Sequence, residues 1–85
     1  MNLRSTIQVS DIVPGDCIRL DNTNRILGSS YLALQASTFL YCSIKENETL
    51  ICVLRGEEFC YFLCSEGIVE LFLHELDAFF KVING

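Results

Sequence analysis

The chain has 85 residues, 51% of them hydrophobic, and eleven acidic against six basic side chains give a net charge of −5. That length holds one domain rather than two, and Arg4, Arg19, Arg25, Lys45, Arg55 and Lys81 are too scattered for the clustered positive patch that a phosphate backbone requires, so nucleic-acid binding is disfavoured. The sequence shows neither a signal-peptide core nor an apolar run of the ~18 residues that begin to span a bilayer; a cytoplasmic protein that does not span the membrane is expected.

In chain order, Ser10 to Asp16 reads as a turn. Pro14 presets φ for its first central position and Gly15 accepts the positive φ of a type II turn. Cys17-Ile18-Arg19-Leu20 follows as a strand, closed by Asp21-Asn22-Thr23-Asn24, whose side chains bond readily to nearby backbone. Arg25-Ile26-Leu27 runs into a break at Gly28-Ser29-Ser30, and Tyr31 to Gln35 reads as a strand or a short helix.

Thr38 to Ile44, Thr49 to Leu54 and Glu58 to Cys64 are three β segments with short polar connections, the pattern of an antiparallel meander. Each is apolar on both faces. Leu40, Cys42 and Ile44 oppose Phe39 and Tyr41; Leu50, Cys52 and Leu54 oppose Ile51 and Val53; Phe59, Tyr61 and Leu63 oppose Cys60, Phe62 and Cys64. A sheet with one wet face alternates apolar and polar residues instead. Both faces therefore need cover, and small domains bury a smaller share of their surface than large ones.

Beyond Ser65 the periodicity changes. On a helical wheel, Glu66, Glu70, His74, Asp77 and Lys81 fall within one arc of about 80°, which predicts an amphipathic helix over Glu66 to Ile83 with Ser65 as N-cap and Asn84-Gly85 as its stop. The competing reading pairs Ile68 to His74 with Glu58 to Cys64 and leaves Phe79 to Ile83 as a last strand.

Five cysteines (Cys17, Cys42, Cys52, Cys60, Cys64) are an odd number in a chain with no export signal, so buried reduced thiols are expected rather than a disulfide framework. A zinc site from Cys52, Cys60, Cys64 and His74 fails on spacing. Residues four apart on a strand stand about 13 Å apart, whereas each Zn–S bond is only ~2.3 Å. His74 is the only histidine, and the sequence has neither a GxSxG elbow nor a Gly-rich phosphate cradle.

The expected fold is α+β: a small antiparallel sheet or meander of four to five strands packed by a C-terminal amphipathic helix, in a single domain over residues 1–85. The alternative is a small all-β barrel, SH3-like. The expected function is a non-enzymatic protein-interaction module, an adaptor, regulator or inhibitor subunit, acting as a homo-oligomer (a dimer first) or within a complex with another protein. Its contact residues would be Phe39, Tyr41, Phe59, Tyr61, Phe79 and Phe80, with no catalytic residues, metal or cofactor. A carrier or sensor of a small apolar ligand is the alternative, and a Cys/His enzyme ranks last.

Overall fold

Strand formation follows from runs of β-branched, aromatic and aliphatic residues bounded by polar turns. The computed structural model describes residues 11–21, 30–38 and 40–83. The expectations for Ser10, Asn22 to Ser29, Phe39 and Asn84-Gly85 lie outside these residues. Within them the elements are β1 (Cys17–Leu20), β2 (Ser30–Gln35), β3 (Tyr41–Lys45), β4 (Leu50–Arg55), β5 (Phe59–Cys64), β6 (Gly67–Phe72), α1 (Leu73–Phe79) and β7 (Phe80–Ile83).

The strands form one curled sheet in the order β3-β2-β6-β5-β4-β1-β7, with antiparallel pairing throughout. This corrects the α+β expectation. The described residues form a seven-stranded, mostly β structure with one short helix, and the all-β alternative fits it. The long C-terminal helix is replaced by a strand, two turns of helix and another strand.

The reason lies at Gly67. It takes φ +130°, a conformation open to glycine and costly for any other residue. It closes a tight hairpin in which Cys64 faces Gly67 and Phe59 faces Phe72. Once β6 pairs with β5, Val69 and Leu71 point into the core and Ile68, Glu70 and Phe72 point out. The polar stripe that imitates a helix is assembled from different elements. Glu66 belongs to a turn, Glu70 to the outer face of β6, His74 and Asp77 to α1, and Lys81 to β7.

The expected meander is also only partly present. β4, β5 and β6 are neighbours, but β3 pairs with β2 and not with β4. The β3–β4 connection carries the chain across one end of the curl, where Glu48 anchors it. The Glu48 carboxylate accepts from the Lys45 N–H at 3.3 Å, the Ser65 N–H at 3.0 Å and the Ser65 hydroxyl at 2.8 Å. Burial pushes this carboxyl up, but the Ser65 and Lys45 hydrogen bonds and the Lys45 charge outweigh it and hold it below the usual range.

Other expectations match the structure closely. β1 occupies the expected residues, and Tyr31 to Gln35 is strand rather than helix. β3 begins later than expected because Ala36 to Thr38 turn the chain. There the Thr38 hydroxyl donates to Gln35 Oε1 and accepts from the Leu40 N–H. The Pro14-Gly15 turn has Gly15 at φ +100° and the Asp16 N–H donating to Val13 O at 3.0 Å. It docks on β4 through Gly15 N–H to Cys52 O and Cys52 N–H to Asp16 O, both 2.8 Å.

The concave face holds the core. Ile18, Leu20, Ile44, Leu50, Cys52, Cys60, Phe62, Val69, Leu71 and Phe80 fill it, and Leu76 of α1 caps it. None of the described polar or charged residues is buried. Tyr31 closes the curl, its ring packed 5.3 Å from Phe79 and 5.4 Å from Phe80. Its hydroxyl donates to Glu75 Oε2 at 2.6 Å, while Glu75 Oε1 accepts from the Phe72 N–H at 2.9 Å. Burial, then the Glu75 hydrogen bond and charge, push the Tyr31 hydroxyl above its ordinary value. The phenol stays a donor, and that single carboxylate ties β2 to the start of α1.

A candidate interaction surface

Because side chains alternate along a strand, filling the concave face leaves the other half of each strand on the convex face. There the registers align apolar residues into rows. Ile51 of β4 faces Leu63 of β5, which faces Ile68 of β6. Cys17 and Ile83 extend this row across β1 and β7. A second row runs Leu54, Tyr61, Glu70, Leu34, Tyr41 across β4, β5, β6, β2 and β3. Phe59 and Phe72 begin a third.

A β-bulge sharpens the pattern. The β4–β5 register shifts between Cys52 and Leu54, so both Val53 and Leu54 face outward and both are exposed. Strict alternation would have grouped Leu54 with Leu50 and Cys52. The ring contacts form a chain on the same face: Tyr61 to Phe59 at 5.6 Å, Phe59 edge-on to Phe72 at 5.8 Å, and Phe72 stacked on His74 at 5.6 Å. Glu70 is the one charged residue in these rows. Arg19 and Lys81 flank the face on β1 and β7, Lys45 flanks it on β3, and Glu57, Glu58 and Glu66 stand at the turns.

Tyr41 is 68% exposed, and Phe59 and Tyr61 are half-buried on the same face. The structure therefore brings three of the expected contact residues to one surface. Phe79 is half-buried against Tyr31. Phe80 is 4% exposed and belongs to the core, so it has no surface to offer. Phe39 is outside the described residues. Sequence reasoning missed Leu32, Leu54, Leu63, Ile68 and Phe72, all exposed. The readable signal for Ile68 and Phe72 was their period-two alternation with Val69 and Leu71, which the helical stripe obscured.

The thiols are free. Cys42, Cys52 and Cys60 are buried, and Cys17 and Cys64 are half-buried. Burial raises the thiol of Cys52, with Cys60 beside it, and raises that of Cys60 despite the Arg55 charge and a Gly56 hydrogen bond. Among the described residues, no three His, Cys, Asp or Glu side chains are grouped as metal ligands would be, and no helix is long and apolar enough to cross a membrane. No protein-family model matches the chain, and comparisons with curated proteins and with solved structures give no match either.

Proposed function

We propose that the chain is a small non-catalytic protein-interaction module, working in a reducing compartment such as the cytoplasm, that associates through the convex face of its sheet. A second copy is the first partner this reading names, and a subunit of a larger complex the next. The observation that carries it is the uncovered apolar surface: Ile51, Leu54, Leu63, Ile68 and Phe72 are each at least 40% exposed and lie side by side in the sheet register. Contiguous apolar patches larger than a few hundred Å² are rare on monomers and mark interaction sites. The arrangement of apolar and aromatic residues with charges around them is that of an interface with a dry centre and a polar rim.

Two features weigh against the other readings. A carrier would hold its ligand in the interior, and the interior here is filled by side chains such as Phe62 and Leu71 with no exposed surface. A Cys/His enzyme needs an accessible thiol beside its histidine, whereas His74 is stacked on Phe72 and Cys52 and Cys60 are buried.

Sedimentation of the chain over a dilution series tests the proposal. A species at twice the 9.6 kDa chain mass is expected, shifting to monomer in Leu63→Glu with the far-UV spectrum unchanged. If the parent chain stays monomeric at every concentration, self-association through this face is wrong. If it self-associates but Leu63→Glu does so equally well, the convex face is not the interface.

A further inference from the structure

The geometry points to Cys42 and Cys64 as an oxidisable pair, a site at which a peroxide converts two thiols into an intramolecular disulfide across the concave side of the sheet. Their sulfurs are 4.0 Å apart although the residues are 22 apart in sequence. They are not sheet neighbours either. Cys42 lies on β3 and Cys64 on β5, with β2 and β6 between those strands. Only the curl of the sheet brings them together, so a bond between them would be a chord across its hollow side. The residue facing Cys64 in the register is Gly67, and no side chain on that residue stands in the way. A disulfide requires the sulfurs to close from this contact to about 2.05 Å.

The two thiols differ in a way that assigns their roles. Cys64 is half-buried and meets solvent, whereas Cys42 is 4% exposed. Hydrogen peroxide therefore reaches Cys64 first. The Cys64 sulfur attacks the peroxide, the O–O bond breaks, the departing hydroxide takes up the Cys64 proton, and Cys64 sulfenic acid and one water result. The Cys42 sulfur then attacks the Cys64 sulfur. The S–O bond breaks, hydroxide leaves and takes up the Cys42 proton as water, and the new S–S bond holds the pair. The two sulfurs together have lost two electrons and the peroxide has gained them.

Burial, the neighbouring Cys64 and its hydrogen bond, and the carboxylates of Glu66 and Glu48 push the Cys42 thiol up to about 12. It is thus the slow, resolving partner, and reaction with the sulfenic acid depends on its being held in contact. The other thiols do not compete within the chain. Cys52 and Cys60 are at most 1% exposed, and Cys17 points to the convex side, its sulfur against Gly15 O at 4.0 Å.

The test treats the full chain, carrying Cys17→Ser to prevent bridging between molecules, with equimolar hydrogen peroxide, then alkylates it under denaturing conditions and maps the peptides. The expected product joins the Cys42 and Cys64 peptides, with two fewer alkylated thiols and an intact mass, taken before alkylation, lower by about 2 Da, the two hydrogens lost in forming the bond. In Cys64→Ala, Cys42 is expected to remain a free thiol. In Cys42→Ala, Cys64 is expected to pass to sulfinic acid several-fold faster than in the parent chain. Should Cys42→Ala unfold, the parent map and Cys64→Ala still decide the matter. Sulfinic acid at Cys64 with no bridged peptide in the parent chain would overturn the assignment, as would oxidation of Cys42 in Cys64→Ala.

Discussion

The two faces of the sheet are made of the same kinds of residue, often from adjacent positions, and meet opposite fates. Phe62, Val69 and Leu71 are completely buried, while their sequence neighbours Leu63, Ile68 and Phe72 are 44, 40 and 41% exposed. Hydrophobicity does not separate the two sets. Strand parity does, together with the direction of curl, which wraps one face around Leu76 and Phe80 and leaves the other convex. A burial pattern in a two-faced apolar strand is thus set by topology, and composition alone cannot report it.

The largest expected effect comes from testing that contrast at one pair of neighbours. Phe62→Ala should cost about 3–5 kcal/mol, enough to unfold much of a marginal small domain. Leu63→Ala should change monomer stability by less than about 1 kcal/mol. Urea titrations at a concentration low enough to exclude association measure both. Equal losses would mean that Leu63 is covered within the monomer and the faces are not different.

Gly67→Ala addresses the hairpin on which both faces depend. A Cβ there would meet only Gln35 Nε2, at an ordinary 3.8 Å, so crowding is not the obstacle. The φ of +130° is, and the expected destabilisation is about 1–3 kcal/mol from backbone strain. An unchanged denaturation midpoint would show that β6 does not begin as described.

These contrasts also show what the sequence made legible. The Pro14-Gly15 turn and β1 were readable because local stereochemistry determines them: a fixed φ, a positive φ, then alternation. The C-terminal segment was legible only in its competing strand reading, which β6 paired with β5 and the last strand β7 match; the favoured helix was misleading. Its period-3.6 polar stripe arises from a turn, a strand, a helix and a strand whose outward residues happen to fall in step. The convex surface was legible as an excess of apolar residues on both strand faces, but its membership was not. The bulge beyond Cys52 reversed Leu54, and the non-local pairing of β2 with β6 put Tyr41 in a row with Tyr61. Neither event leaves a mark in a short window of sequence. Phe80 read as a surface aromatic because the helical wheel placed it on a flank; as the first residue of β7, facing Leu20, it points inward.

The smallest expected effect is at the rim that both faces share. Glu48 is held below its ordinary value of 4.5, so its contribution is complete above that value and is lost as pH falls through the lowered folded-state value. Glu48→Gln should therefore cost no more than about 1 kcal/mol at pH 7. The difference from the parent chain should shrink as pH falls below the ordinary 4.5, as protonation removes the same charge. Thermal melts from pH 7 to 3 check the sign, and a gap that widens toward acid would contradict it.

The place of β1 between β4 and β7 has a kinetic consequence. Leu20 pairs with Phe80, and Cys17 with Ile83, so the first of the described strands to be synthesised cannot complete its hydrogen bonding until nearly all of the described chain has followed. At ~5–20 residues per second, that wait is on the order of seconds. Sheets dominated by such distant pairings also fold slowly, in milliseconds to seconds. During this interval the greasy strands of both faces are open to solvent and to one another. Nascent chains of this protein should therefore be good substrates for chaperones that hold extended apolar segments, even though the finished fold is small.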